Sequence, residues 1–234
     1  MSITLDVNDS RMLLESQAKL RGSLDDRMVI WWINATQYAV IENRLTPLYR
    51  LLNGSFQRFT QIGTDEEPRF AIRVLELGYM TDIESGAKIE QFSNPFTGKI
   101  GAVPPPVFGP NQVYLGLNGL EPPEHFPFGE LSFSGRLGPG IVYDEEIWIR
   151  EDTLVEMQSE NPAFGDYRYS ELVTYRGALA DVTDPNNLSP AAQLTYTTTS
   201  NWRPWMMADD TPGHLMSEGF GKKVQSLAEL PADF

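Results

Sequence analysis

Residues 130–150 read ELSFSGRLGPGIVYDEEIWIR, two runs of alternating apolar and polar residues joined by Gly138-Pro139-Gly140. Alternation with a period of two is typical of a strand with one buried face. A short connection rich in glycine and proline is typical of a hairpin turn. The stretch therefore predicts two antiparallel strands, residues 130–137 and 141–150, with the turn at Gly-Pro-Gly.

The rest of the chain is divided in the same way, by 17 prolines and 19 glycines spread along 234 residues. This punctuation favours many short antiparallel strands. A β-barrel of this length still forms one domain, so we predict a single all-β, mainly antiparallel, calycin-like barrel over residues 1–234. The other predicted strands are 28–38, a short pair around 48–59, 70–80, 88–92, 98–103, 113–117, 169–177 and 194–200.

The two ends of the chain have a different pattern. Met12, Leu13, Gln17 and Leu20 recur near helical spacing after the potential cap Asp9 or Ser10, which predicts a helical segment within residues 1–22, either outside the barrel or plugging one end. Residues 201–234 are rich in aromatic and charged groups without strong periodicity. We predict that this C-terminal segment closes one mouth of the barrel as a lid, with a short helix over 215–220.

Composition excludes several functions. The chain carries 18 Lys and Arg against 32 Asp and Glu, a net charge of −14, which argues against nucleic acid and anionic membranes as partners. The lack of cysteine excludes disulfides and thiolate nucleophiles. Residues 1–24 lack the apolar core of a signal peptide, which predicts a cytoplasmic protein. A homo-oligomer is compatible with these features.

Residues 167–175 alternate between two chemically different faces. Tyr167, Tyr169, Glu171, Val173 and Tyr175 share one face, which we predict to point inward, and the other face carries polar and charged residues that point outward. Tyrosines around one carboxylate suit a small-molecule cavity. They also suit a well-packed β-sandwich whose hydroxyls reach the rim.

Sequence motifs limit the chemistry. The chain has no Gly-x-Ser-x-Gly nucleophile motif and no Gly-x-Gly-x-x-Gly or Walker A loop, which leaves acid–base and electrostatic catalysis without a cofactor. Buried carboxyls and histidines are tuned towards neutral pH, and cations hold oxyanions. The candidate catalytic residues are His214, Glu146, Tyr169, Glu171, Arg150 and Lys222. The candidate substrate-binding residues are Trp202, Trp205, Trp148, Tyr79, Tyr167 and Tyr175.

Metal binding has one alternative in the sequence. His125 and His214 could join a carboxylate in a two-histidine, one-carboxylate iron site, but no His-x-Asp/Glu pair supports it. Residues 82–86 and 94–98 lack the regularly spaced oxygen ligands of a calcium loop and are predicted to be tight turns. We predict no metal and no cofactor.

Compound motifs along the chain resemble a known family. They are Ser23-Leu24-Asp25-Asp26 leading to Trp31-Trp32, Leu45-Thr46-Pro47-Leu48-Tyr49, residues 78–86, Ser93-Asn94-Pro95-Phe96-Thr97-Gly98, and residues 202–205 leading to Gly221-Lys222-Lys223. From about residue 15 to 231 the chain resembles DUF1838, a bacterial and fungal domain of unknown function. It departs from the family pattern at Asn34-Ala35, in place of a glycine, and at Gly78, in place of a bulkier residue. The resemblance implies a fold and a site region, and no established activity.

These observations predict a cofactor-independent lyase or isomerase. Its substrate is a small hydrophobic, aromatic molecule held in an internal cavity, and its chemistry is proton transfer. The alternative is a non-catalytic carrier or sensor of a small apolar ligand, which needs no titratable group with a perturbed pKa in its cavity. A third hypothesis, an interaction or structural subunit, predicts a filled interior and an exposed apolar patch.

Overall fold

The computed structural model describes residues 5–105, 107–123, 129–159 and 165–231. Two α-helices, two 3-10 turns and twelve strands make up this part of the chain. In chain order the elements are α1 (Ser10–Arg21), β1 (Met28–Ile41), β2 (Arg44–Gln61), β3 (Phe70–Thr81), β4 (Gln91–Ser93), β5 (Ile100–Ala102), β6 (Val107–Gly116), β7 (Gly119–Glu121), β8 (Gly129–Tyr143), β9 (Glu146–Ser159), β10 (Tyr167–Ala178), α2 (Leu179–Thr183), β11 (Gln193–Ser200), a 3-10 turn (Pro204–Met206), β12 (His214–Val224) and a second 3-10 turn (Leu227–Glu229).

Ten of the strands form one antiparallel sheet in the order β7-β6-β3-β2-β1-β12-β11-β10-β9-β8. Its two ends meet, because the amide of Leu137 on β8 donates to the carbonyl of Asn118 beside β7 over 2.9 Å. At this seam Gly135 lets the backbones approach: a Cβ added there would lie 2.1 Å from the carbonyl oxygen of Leu120. The sheet is a nearly closed barrel, which confirms the predicted fold class.

Helix α1 lies inside one end of this barrel. It begins after Asp9, whose Oδ1 accepts from the amides of Arg11 (2.8 Å) and Met12 (3.1 Å), so the predicted helix and its cap are confirmed. From Ser16 to Arg21 every residue is buried, as expected of a helix surrounded by protein. The sequence left open whether this helix lies outside the barrel or plugs one end. In the structure it plugs one end.

Two apolar clusters pack around α1. One contains Leu13 and Leu20 of the helix with residues of β1, β9, β10 and β11, and the other contains Leu14 and Ala18 with residues of β2, β3 and β6. The helix therefore fills the space between opposite walls of the barrel. Burial of these side chains contributes about 25 cal/mol for each Å² of apolar surface removed from water.

The opposite end is covered by a third cluster, which we call the aromatic mouth: Tyr49, Phe92, Trp202, Trp205, Met206 and Leu215. The β4–β5 hairpin packs over it through Asn94, whose Nδ2 donates to the carbonyl of Met206 over 2.9 Å. The Oδ1 atom of the same side chain accepts from the amide of Phe96 at 2.8 Å, and Asp82 accepts from the amide of Ser85 at 2.8 Å. The predicted tight turns at 82–86 and 94–98 are confirmed.

Two strand predictions are wrong. Residues 138–140 do not turn the chain, because Gly138 adopts φ +98° and the β8–β9 register shifts there, so β8 passes through them as a bulge. The hairpin turn is at Asp144-Glu145, where Asp144 has φ +56°. Residues 48–59 belong to one long strand, β2, and not to a short pair.

The predicted helix over 215–220 is also wrong. These residues belong to β12, which pairs with β1 on one side and β11 on the other. Leu215, Ser217, Gly219 and Lys223 alternate inward, and small residues among them weaken the apolar alternation that marks a strand. The segment 201–234 thus supplies a wall strand as well as the mouth residues.

No helix in the described ranges is long and apolar enough to span a membrane.

Candidate functional site

The barrel interior contains three glutamates between the helix and the mouth. Glu76 lies on β3, Glu151 on β9 and Glu171 on β10, each on the inward face of its strand. In the order of ten strands, β3 and β10 are five places apart, so they lie on opposite walls. Glu76 and Glu171 therefore approach the same space from two sides.

Glu151 is fixed by α1. Its Oε1 accepts from Arg21 Nη1 at 2.6 Å, and its Oε2 accepts from Gln17 Nε2 at 3.1 Å. Arg21 also donates through Nε to Gln57 Oε1 at 3.1 Å, and Gln57 donates to Ser55 Oγ at 3.0 Å. Because β9 and β2 are opposite walls, this chain of hydrogen bonds ties the barrel together across its interior.

Glu171 has a different environment. Burial, followed by repulsion from Glu76 and Glu151, raises the pKa of its carboxyl to about 8, although Arg21 opposes the change. Among the described residues none donates a hydrogen bond to this carboxyl. Its side chain nevertheless keeps some accessible surface. Glu171 is thus a neutral acid at pH 7, and part of its surface is accessible.

Glu76 differs from Glu171 in its neighbours. Burial raises the pKa of Glu76, but Ser55, Asn53 and the charge of Arg21 favour its ionised form. The pKa of both carboxyls is raised, but hydrogen bonds oppose the change only at Glu76, and two carboxyls in unlike surroundings are the arrangement that general acid–base catalysis uses.

Three aromatic side chains adjoin these carboxyls. The Trp31 and Tyr175 rings meet edge to face at 5.5 Å, and the indole of Trp31 donates to the carbonyl of Arg21 at 2.8 Å. Burial raises the pKa of both Tyr175 and Tyr196, so their hydroxyls stay protonated. A Cβ on Gly219 would lie 2.6 Å from the ring of Tyr196, so glycine is needed for this packing.

Towards the mouth, the interior contains the positively charged side chain of Arg203. Arg203 Nη2 donates to the hydroxyl of Tyr167, and its guanidinium carbon lies 3.5 Å from the centre of that ring. Tyr167 in turn stacks on Tyr169, with ring centres 5.7 Å apart. Trp205 packs against Tyr49 at 6.1 Å beside them. The site therefore has an acidic inner end and a cationic, aromatic outer end.

The structure brings together six of the twelve predicted site residues. Tyr167, Tyr169, Glu171 and Tyr175 share the inward face of β10, whose predicted direction is confirmed. Trp202 and Trp205 belong to the aromatic mouth.

The other six predicted residues lie elsewhere. Glu146, Trp148 and Arg150 alternate with the buried Ile147 and Ile149 and therefore face outward from β9. His214 and Lys222 are exposed on the outer face of β12. Tyr79 has the outward register of β3, where the Lys88 ammonium lies 5.8 Å from its ring. Strand alternation separates these residues from the interior.

Arg150 lines a shallow groove on the outside of the barrel. The groove has a volume of about 660 Å³ and is open to solvent, with Thr36, Thr174, Glu218 and Phe220 among its other lining residues. Its polar side chains include few groups that converge on one point, so the interior is the better candidate site.

The alternative metal site cannot be built from the described residues. His125 lies outside them, and His214 is exposed on the outer face. Within the described ranges, no set of three His, Asp or Glu side chains is placed to hold a metal ion.

Sequence reasoning missed Arg21, Gln57, Glu76, Glu151, Tyr196 and Arg203. Alternation from Ile147 gives a signal for Glu151, because Ile147, Ile149 and Glu151 share one face. Alternation gives a similar signal for Glu76, which shares a face with Ile72 and Val74, whereas the partners of Arg21 are distant along the chain.

Comparison with protein families concerns the C-terminal part of the chain. Residues 142–234 match a family model described as "Protein of unknown function (DUF1838)". These residues are therefore similar to DUF1838. The resemblance predicted from the sequence is confirmed for these residues. No curated protein and no solved structure is significantly similar to the chain.

The DUF1838 match includes β9 to β12 and the mouth segment, and so it includes Glu151, Glu171, Tyr196 and Arg203. Helix α1 and strands β1 to β7 precede it. The interior site is therefore formed jointly by the DUF1838 match and by the part of the chain that comes before it.

Proposed function

We propose that the protein is an enzyme that acts by acid–base chemistry, without a cofactor, on a small aromatic molecule inside the barrel. The reaction class is a lyase or an isomerase. One observation carries this proposal: Glu171 is an inward-facing carboxyl whose pKa is about 8, with accessible space beside it and no hydrogen-bond donor among the described residues. A carrier of an apolar ligand gains nothing from such a group.

The two carboxyls on opposite walls, Glu171 and Glu76, have different roles in the proposed reaction. Glu171, as the acid, gives a proton to the bound molecule, and Glu76, beside Ser55 and Asn53, takes one from a carbon of the same molecule. In an isomerisation the proton added and the proton removed balance, so the composition of the substrate is unchanged. In an elimination the proton from Glu171 leaves with the departing group as water, and the double bond forms where Glu76 removed the other proton.

The aromatic and phenolic groups support binding and charge stabilisation. Tyr175 and Tyr196 keep their hydroxyl protons and adjoin Glu171, so they suit an oxygen on which negative charge develops. Rings at the mouth, with Trp205 among them, offer flat apolar surfaces for an aromatic substrate. A small molecule with one oxygen function fits this combination.

The test has two stages. A thermal-shift screen of the purified protein against aromatic and terpenoid metabolites identifies ligands, because a ligand of the native state raises the melting temperature. Each hit is then incubated with the protein and followed by mass spectrometry and NMR for a product. We expect Glu171→Gln to bind the hit and to lose at least about a hundredfold in turnover, the usual range for an acid–base group.

The control is Glu218→Gln, which makes the same change on the outer face of β12 and should leave turnover as it is. Unchanged turnover in Glu171→Gln would contradict the proposal. Tight binding of a hit with no product in the wild-type protein would favour the carrier.

A further inference from the structure

We propose that Arg203, with Tyr167 and the rings of the aromatic mouth, binds a carboxylate on the ligand. The ligand of the barrel is then an aromatic carboxylic acid, held with its carboxylate at the mouth and its reacting end towards Glu171. This inference rests on the proposed function, since it names the substrate class of the same interior.

The arginine is held in place before any ligand binds. Its Nη2 donates to the Tyr167 hydroxyl, and the guanidinium lies over that ring, 3.5 Å from the centre. Tyr167 is itself held by stacking on Tyr169. A guanidinium fixed in this way loses little conformational entropy when it forms a two-pronged hydrogen bond.

The positive charge of Arg203 is not paired with a carboxylate of the described residues. Among the described residues, no Asp or Glu lies within ion-pair distance of it, whereas nine other ion pairs occur in the same ranges. Burial lowers the pKa of Arg203. A partly buried cation without an anion is costly, and an anionic ligand removes that cost.

The residue before Arg203 contributes a buried donor that lacks an acceptor among the described residues. The indole Nε1 of Trp202, the preceding residue, is buried and has no hydrogen-bond partner among the described residues. A buried indole N–H without an acceptor, next in sequence to a buried cation without an ion-pair partner among the described residues, indicates a ligand with an acceptor-rich anionic group.

A carboxylate fits better than a phosphate. The mouth presents one planar guanidinium surrounded by rings, which matches one flat monoanion. Phosphate sites commonly add backbone amides of a helix N-terminus or further cations. The interior beyond holds three glutamates, so a dianion would meet stronger repulsion than a monoanion.

The same charges fix the direction of the ligand. The acidic inner end repels a carboxylate, and Arg203 attracts it, so the ligand enters with its uncharged part leading. Tyr167 and Glu171 are four residues apart on β10, about 13 Å along the strand. The charge of Glu171 acts on both Tyr167 and Tyr196, and Tyr196 also lies near Tyr49. The ligand lies along this interval, with its carboxylate at Arg203.

The experiment uses isothermal titration calorimetry at pH 7 with benzoate, phenylacetate and cinnamate, each against its neutral amide, and with phenyl phosphate. For the wild-type chain we expect at least one acid to bind about tenfold or more tightly than its amide. Arg203→Met should remove this preference, and Arg203→Lys should keep part of it. Glu171→Gln should keep the preference, because it leaves the mouth unchanged.

The matched control is Arg176→Met. Arg176 lies on the outer face of β10, over the Trp148 ring of β9 at 5.2 Å, so the variant makes the same change outside the barrel. Melting curves of all variants verify folding, and Arg203→Lys keeps the test decisive if Arg203→Met does not fold.

The outcomes separate the two proposals. Equal affinity of acid and amide in the wild-type protein would overturn the carboxylate site while leaving the acid–base function intact. So would an unchanged preference in Arg203→Met, or tighter binding of phenyl phosphate than of every acid. A failure of acids, amides and phosphate alike to bind would count against both proposals.

Discussion

Arg21, the last residue of α1, donates to Glu151 over 2.6 Å, and the exposed fractions of the two side chains are only 9% and 1%. The pair joins the plug helix to β9 at the level where the interior turns from apolar to polar. Arg21 also faces Gln57 on the opposite wall. The position of the helix, and so the depth of the site, is set by this contact.

Arg21→Met should destabilise the protein by about 3–5 kcal/mol, because it leaves the Glu151 carboxylate buried without its cation. Changing both residues, as Arg21→Met with Glu151→Leu, should recover much of this loss. Urea denaturation followed by circular dichroism measures the free energy of unfolding. The control is Arg58→Met, which breaks the Arg58–Asp26 pair of the same length on the surface and should have far less effect. Equal losses in the two variants would refute the assigned role.

The stability of the fold should depend on pH through Glu171. Its pKa is about 8 in the folded protein and about 4.5 in the unfolded chain, so the folded state binds more protons between these values. The contribution of Glu171 to stability is therefore largest below pH 4.5 and is lost as pH rises to about 8, by up to about 1.4 kcal/mol per pH unit. Glu171→Gln should flatten this part of the profile. Parallel profiles for the two proteins would show that Glu171 does not titrate in this window.

Turnover of the substrate should fall as pH rises through about 8, because the acid form of Glu171 disappears there. The measurement is kcat against pH between 6 and 9.5, at pH values where the fold is intact. A kcat that stays constant across pH 8 would mean that another group supplies the proton.

The same substitution should affect stability very differently at two adjacent lysines. Lys223 is 2% exposed and donates to the carbonyls of Lys19 (2.7 Å) and Gly22 (3.0 Å) at the end of α1, so Lys223→Met should cost about 1–3 kcal/mol. Lys222→Met changes an exposed side chain on the outer face and should have little effect. Thermal denaturation of both variants is the check. A larger loss for Lys222→Met would contradict the inward register of β12.

Trp205→Ala should weaken binding of an aromatic ligand about tenfold or more, since Trp205 contacts Tyr49 and Phe92 in the aromatic mouth. Its control is Trp148→Ala, which removes an indole from the outer face of β9. Titration calorimetry with a ligand from the thermal-shift screen compares the two. Weaker binding in Trp148→Ala alone would place the ligand on the outer face of β9.

Strand alternation and the helix cap were sufficient to predict the fold class. Asp9 and the spacing of Leu13 and Leu20 predict α1, and the period of two over 167–175 predicts the inward face of β10. The hairpin at 138–140 was misplaced because glycine and proline serve both turns and bulges. Only the pairing of Leu137 and Gly140 with β9 distinguishes the two.

The candidate site was predictable where its residues share one strand. Tyr167, Tyr169 and Glu171 are neighbours on β10, so one alternation places them together. Arg21 and Glu151 come from elements far apart in sequence, and their ion pair depends on how the barrel closes. Alternation with a period of two shows that the two faces of a strand differ, but it does not show which face is inner. For this reason the sequence alone predicts Trp148 and Arg150 as interior residues.

The pairing of β1 with β12, in which Trp31 lies opposite Lys223, has a consequence for synthesis on the ribosome. Strand β1 pairs with β12, which is synthesised much later, so the barrel of the nascent chain cannot close until β12 has left the ribosome. Until then the facing edges of β1 and β11 lack their hydrogen-bonding partners, and this exposed period is when a molecular chaperone would bind the chain.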